Sequence, residues 1–385
     1  MNRLTTSQGE FDLARFPENP RDPFRAWDAA DEYLLRRLEG AEGSEPVRPS
    51  GTVAVVGDRW GALATVLAAH SPVQITDSYL TRRATEANLA RNGAAPDAVR
   101  MLSVRDTPPE RIDVLLVRVP KSLALLEDQL HRLAPAVHAG TVVIGTGMVK
   151  EIHTSTLKLF ERIIGPTRTS LAVKKARLIF CTPDPALPRT PSPWPRRYEL
   201  PDDVGVVSGR TVTNHAGIFC AERLDIGTRF FLKHLPRRTG PDRVVDLGCG
   251  NGVLGTAAAL ANPDAAVTFV DESYQAVASA EATFHDNAGA DAKAEFVVGD
   301  GTADIPRAGV DLVLCNPPFH SHQAVTDATA RNMFAGAHAA LRQGGELWVV
   351  GNRHLAYHTQ LRRIFGSCVT VAGDPKFVVL RAVKR

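Results

Sequence analysis

Short apolar runs alternate along the chain with longer stretches at helical spacing, and glycine or acidic turns stand between them. In the C-terminal half the pattern predicts strands over 243–247, 267–270, 295–298, 310–315 and 346–350. Helices are predicted between them over about 253–261, 274–287 and 327–341, and two strands, 368–371 and 376–382, close the chain. The N-terminal half follows the same plan. Its predicted strands are 52–56, 73–76, 112–117 and 141–144, with helices over 62–69, from 78 to Asn92, and over 123–133. Apolar strands spaced by helices imply parallel sheets covered on both faces, an α/β fold of the doubly wound kind.

Between the halves, residues 181–195 carry prolines at a density that neither a helix nor a central strand tolerates. The chain is therefore expected to form two domains, 1–190 and 191–385. Aligning them pairs Gly57 with Gly248, Gly61 with Gly252, Asp77 with Asp271, Asp113 with Asp311 and Pro120 with Pro318, an internal repeat of two Rossmann-like domains. The repeat breaks at telling places. Val55 stands opposite Asp246, Arg59 opposite Gly250 and Arg118 opposite Asn316. An arginine fills the space that a loop glycine leaves for a ligand. The first domain is thus expected to be a degenerate copy, with its chemistry lost and a positioning role left.

Composition narrows this little. The 385 residues are 44% hydrophobic and 23% charged, as in ordinary globular proteins. No apolar stretch approaches the roughly eighteen residues of a membrane span, and Met1 to Gln8 lacks the apolar core of a secretion signal, so a cytoplasmic protein is expected. Five scattered cysteines form no C-x-x-C pair, which argues against a disulfide or metal framework. A net charge of +3 permits a nucleic-acid partner without requiring one. Basic doublets such as Arg36-Arg37, Arg82-Arg83 and Lys174-Lys175 read singly as solvated surface.

The chemistry concentrates in the second domain. Asp246-Leu247-Gly248-Cys249-Gly250-Asn251-Gly252 follows an apolar strand and opens a helix, so its glycines let backbone approach a bulky ligand. Asp271, ending the next strand, can accept both hydroxyls of a ribose, and Asp300 can accept from an adenine amine or simply make a turn. The loop is ambiguous by itself, because residues 250–255 also satisfy the dinucleotide pattern G-x-G-x-x-G. Asp246 would repel a pyrophosphate but suits a zwitterionic methionine moiety, which favours S-adenosylmethionine over a nicotinamide cofactor. The strand over 310–315 ends in Asn316-Pro317-Pro318-Phe319. An exocyclic amine is a poor nucleophile while its lone pair is delocalised into a ring. The Asn316 side-chain oxygen and the Pro317 carbonyl can accept its N–H bonds, and Phe319 can stack on the planar acceptor. The motif implies a planar amine and leaves open a nucleobase in either ribosomal subunit, a DNA adenine or a glutamine amide.

These residues resemble those of the large-subunit ribosomal RNA guanine-N2 methyltransferases, relatives of the small-subunit guanine-N2 enzymes. The resemblance runs nearly end to end, through residues 26–35 and 152–157, Leu224-Asp225-Ile226-Gly227-Thr228-Arg229-Phe230-Phe231, the glycine loop, residues 270–273 and 315–320, and residues 351–355 and 376–380. It implies tandem class I methyltransferase domains, the first degenerate, and N2-methylguanine in 23S ribosomal RNA as product, without a metal. It implies donor binding at Asp246, Gly248, Gly250, Gly252, Asp271, Asp300 and Asn316, with Phe219, Leu224, Asp225, Gly227 and Thr228 in a segment closing over the donor. Asn316, Pro317 and Phe319 become the catalytic set. The implied partner is 23S ribosomal RNA or a large-subunit assembly intermediate, held by the first domain, with a monomer favoured. Action on small-subunit RNA, or a non-enzymatic RNA-binding or assembly role, remains the alternative.

Overall fold

The computed structural model describes residues 3–19, 22–40, 45–289, 291–318 and 323–385, with backbone alone for 323–327. Two compact units divide the chain, Met1–Pro193 and Trp194–Arg385. No helix among the described residues is long and apolar enough to cross a membrane.

In the second unit seven strands lie in the order Lys293–Val298, Ala266–Asp271, Arg243–Leu247, Val310–Cys315, Leu341–Asn352, Phe377–Val383, Val369–Gly373. The first five run parallel, Phe377–Val383 runs antiparallel to them, and Val369–Gly373 pairs antiparallel with Phe377–Val383. Both sheet faces are apolar, as a buried parallel sheet requires. Helices Val253–Ala261 and Tyr274–Asn287 pack on one face around Phe269 and Phe284, while Gln323–Ala340 and Tyr357–Phe365 cover the other around Phe334 and Leu361. Chain order reverses between Arg243–Leu247 and Val310–Cys315, where the register pairs Leu247 with Cys315. Gly248 and Asn316 therefore leave adjacent strands at one level, at the kind of switch point where open α/β sheets bind ligands.

The first unit has the same strand order: Arg100–Ser103, Val73–Thr76, Val53–Val56, Ile112–Arg118, Val137–Met148, Ala176–Cys181, Thr167–Thr169. Register confirms the repeat, since Val55 lies beside Leu116 as Asp246 lies beside Leu314. Asp113 accepts from the Thr52 N–H at 2.9 Å, and Asp311 accepts from the Arg243 N–H at 2.8 Å. Each unit also begins with an antiparallel hairpin, Arg3–Thr6 with Gly9–Asp12 and Arg196–Glu199 with Thr211–Asn214. Asn92 ties the first to its neighbouring helix by donating to the Asp12 carbonyl at 2.8 Å, and Asn287 does the same to the Thr211 carbonyl at 2.7 Å.

Several elements differ from the expectation. The helix expected over 62–69 stops at Val66 and continues as a 3-10 turn, Ala68–His70. The strand expected over 141–144 extends over Val137–Met148. Helices Ala29–Leu38 and Ile226–Leu232 precede the first strand of each sheet. Each starts at an aspartate N-cap, Asp28 or Asp225, whose side chain accepts from a first-turn N–H.

Candidate active site

The glycine loop runs from the end of Arg243–Leu247 into helix Val253–Ala261. Gly252 is that helix's N-cap at φ +75, a left-handed angle that disfavours other residues, and a Cβ there would lie 2.7 Å from the Ala280 Cα. Gly250, at φ +54, has the opposite surroundings, with nothing within 4 Å of the place a Cβ would take. The loop is thus pressed against helix Tyr274–Asn287 at Gly252 and open at Gly250. Asp271 accepts from the Gly250 N–H at 3.1 Å and from the Ser273 N–H at 3.0 Å, which fixes its carboxylate beside the opening. Burial raises its pKa, and these N–H groups oppose the rise.

Asp246 serves the scaffold as well. It is buried, and its Oδ2 accepts from the Gly255 N–H at 2.8 Å inside the helix it precedes. Burial pushes its carboxyl up to about 7. A contact with the donor's methionine moiety, expected from sequence, has to be shared with this capping bond. In the first unit, where valine replaces Asp246, a carboxylate from within the loop takes over: buried Asp58 accepts from the Ala64 N–H at 2.9 Å.

Asn316 follows directly on the neighbouring strand. Its Nδ2 donates to Thr228 Oγ1 at 2.9 Å and lies 3.3 Å from Asp225 Oδ2. Asp225 Oδ2 also accepts from the Thr228 N–H at 2.8 Å. The Asn316 Oδ1 is buried with no hydrogen-bond partner among the described residues. Leaving an acceptor in that state is unfavourable by about 1–3 kcal/mol, so the exceptions in a native structure call for a ligand or a function.

The other expected residues divide. Gly227 is buried, where a Cβ would meet Asp225 Oδ2 at 3.0 Å and the Phe377 ring at 3.2 Å. Leu224 packs against the core, whereas Phe219 is 50% exposed. Pro317 is buried. Asp300 lies beyond the end of Lys293–Val298, next to the strand that carries Asp271, with its carboxyl raised by burial and by Asp304. Phe319 lies outside the described residues. An amide pair escaped the sequence reading: Asn251, in the glycine loop, donates to Asn214 Oδ1 at 3.0 Å and fastens the hairpin segment to the loop. An asparagine at the end of a short polar strand carries no periodic signal by which to find it.

In the first unit the matching place is filled. Arg118 is fully buried, with Nη2 2.8 Å from Asp28, Nη1 3.0 Å from Glu151 and Nε 3.3 Å from Asp31. Arg59, in the position of Gly250, bonds Glu151 at 2.8 Å. Ion pairs occupy the volume that the second unit leaves open.

Comparison with known proteins places these features. The chain is 81% identical over all 385 residues to the ribosomal RNA large subunit methyltransferase G of Streptomyces griseus, with both proteins fully covered. This chain belongs to that family. Members at greater distance include the protein of the same name from Stutzerimonas stutzeri, 48% identical over 99% of each chain. Residues 1–185 match the RLMG N-terminal domain, and residues 209–381 match the Methyltransferase small domain. Among solved structures, a T. thermophilus 16S rRNA N2 G1207 methyltransferase in complex with AdoMet and guanosine aligns over 100% of this chain and 97% of its own. The TM-score is 0.76 at 22% identity, a likeness of fold. Both expectations of family and of tandem Rossmann-like methyltransferase domains are met.

Proposed function

We propose that this chain methylates the exocyclic amine of a guanine in 23S ribosomal RNA, forming N2-methylguanine, and that it works in the cytoplasm. The observation that carries the reading is the buried Oδ1 of Asn316, which has no hydrogen-bond partner among the described residues. A lone acceptor beside the glycine loop suits a substrate that brings N–H donors, and a planar exocyclic amine brings two.

S-adenosylmethionine is the methyl donor, and when bound it supplies an electrophilic methyl group that needs no metal activation. The residues present fit it. The open space at Gly250 admits a bulky ligand against the backbone, and the fixed Asp271 carboxylate is placed to accept ribose hydroxyls. Asn316 Oδ1 accepts one N–H of the substrate amine, and the Pro317 carbonyl accepts the other. Together they favour the pyramidal nitrogen needed for in-line attack, a fixed electrostatic arrangement more than base catalysis. After the new N–C bond forms, the amine's surplus proton leaves along the bond to Oδ1 toward water. Phe319 stacks on the base. The first unit, its own site filled by Arg118 and Arg59, holds flanking RNA through phosphate and shape.

Full-length protein, labelled S-adenosylmethionine and either protein-free 23S RNA, 50S or 30S particles from cells lacking the protein test this. Digestion to nucleosides should place the label in N2-methylguanine from the large-subunit RNA. Asn316→Ala should lower the rate at saturating donor about 100-fold or more. Label confined to 30S particles or to protein would refute the reading.

A further inference from the structure

We propose that Asp225 and Thr228 are positioning residues for Asn316. They hold its amide by the nitrogen so that the oxygen alone faces the substrate amine. The inference rests on the reading of Asn316 as the acceptor and adds what makes it one.

An asparagine amide has a donor end and an acceptor end of nearly equal shape, and a half-turn about χ2 exchanges them. Only the acceptor end can receive an amine N–H. Here the choice is forced. Asp225 Oδ2, 3.3 Å from the amide nitrogen, is a carboxylate oxygen and can only accept. Turning the amide over would set two oxygens against each other. Thr228 Oγ1 donates to the same carboxylate oxygen at 3.3 Å, so its lone pair is left for the Asn316 Nδ2 at 2.9 Å. Both N–H bonds of the amide are then consumed. Asp225 is itself immobilised as N-cap of helix Ile226–Leu232, accepting from the Thr228 N–H at 2.8 Å. The carboxylate fixes the hydroxyl, the hydroxyl and carboxylate fix the amide, and the buried Oδ1 is what remains.

The degenerate unit supplies an independent observation. Asp28 is the N-cap of helix Ala29–Leu38, and Asp31 stands three residues later, as Thr228 does after Asp225. The side chain that ends the fourth strand, Arg118, is held by this pair, at 2.8 Å from Asp28 and 3.3 Å from Asp31. Both copies therefore grip the strand-end residue from the same two helix positions. In one copy a guanidinium is neutralised by carboxylates. In the other a hydroxyl replaces the second carboxylate, and a neutral amide is oriented without being saturated.

A double-mutant cycle on the full chain tests the assignment, with single-turnover methylation of protein-free 23S RNA at saturating S-adenosylmethionine as readout and donor affinity measured separately by calorimetry. Thr228→Val should slow transfer at saturating donor by up to about 100-fold, the scale of a misplaced reacting group, over and above any change in donor affinity. Thr228→Ser keeps the hydroxyl and should restore most of the rate. In an Asn316→Ala background, Thr228→Val should cost nothing further, because its target is gone. If its effect multiplies with that of Asn316→Ala, or appears only in donor affinity, the positioning role is wrong. Were Asn316→Ala itself as fast as the parent, the acceptor reading would fall instead. Should Thr228→Val not fold, Asp225→Ser takes its place in the cycle with the same expectations, since serine keeps an N-cap but is too short to reach the amide.

Discussion

Replacing Arg118 with methionine tests whether the first unit is held by the ion pairs that fill its lost site. Arg118 is fully buried against Asp28, Glu151 and Asp31. In the variant, Arg59 still bonds Glu151 at 2.8 Å and Asp28 at 3.4 Å, so two of the three carboxylates keep a cation. Asp31, only 3% exposed, loses its own. One buried charge without a partner costs about 3–5 kcal/mol. A carboxyl already raised to about 7 escapes most of that by taking up a proton, which at pH 8 costs about 1.4 kcal/mol more than in the parent. Hydrogen exchange in helix Ala29–Leu38 should then quicken by about tenfold near pH 8, at tenfold for every 1.4 kcal/mol. Burial already pushes the Asp31 carboxyl up to about 7, against the pull of Arg118, and losing Arg118 raises it further. A folded pKa above the unfolded one means stability is fully present below about 4 and is lost as pH rises through the folded value. The damage should therefore shrink toward pH 5, where Asp31 is protonated. Adding Asp31→Asn, which can still accept from the Asp28 N–H, should recover most of the loss. An unchanged rate at pH 8, or an effect insensitive to pH and to Asp31→Asn, would refute the reasoning.

Two loop glycines separate folding from binding. Gly252→Ala meets both a left-handed angle, worth about 1–2 kcal/mol, and the Ala280 backbone, so its urea midpoint should fall clearly. Gly250→Leu carries only the angle; it should stay folded and lose S-adenosylmethionine binding by calorimetry, and full affinity would contradict the placing of the donor. Burial raises Asp58 to about 6 from an ordinary 3.8, so its contribution to stability is lost as pH rises through about 6. Asp58→Asn should flatten the fall in urea midpoint between pH 4.5 and 6.5, and a slope parallel to the parent would contradict that origin.

Much of the second unit was legible because apolar strands and helix starts coincide with glycine and acidic turns. The strands Arg243–Leu247 and Val310–Cys315 and the helices Val253–Ala261 and Tyr274–Asn287 lie where periodicity put them. The hairpins escaped because a strand such as Arg196-Arg197-Tyr198-Glu199 is polar and largely exposed, with no buried face to read. Helix Ile226–Leu232 is one short element holding a glycine, too brief for a periodic signal, although the family resemblance includes its residues. The repeat was readable at its glycines and aspartates. Its deepest correspondence, Asp28 with Asp225, was hidden because the segments leading from these N-caps to the first strand differ in length. The role of Asn316 followed from residue type and neighbours, whereas the orientation of its amide depends on Asp225 and Thr228, far away in sequence.

The most direct test of the central claim is a map of N2-methylguanine in ribosomal RNA from cells lacking this protein, complemented with the parent gene or with Asn316→Ala. The account expects one N2-methylguanine to vanish from 23S RNA, to return with the parent gene and to stay absent with the variant. An unchanged 23S map, or full restoration by Asn316→Ala, would contradict it.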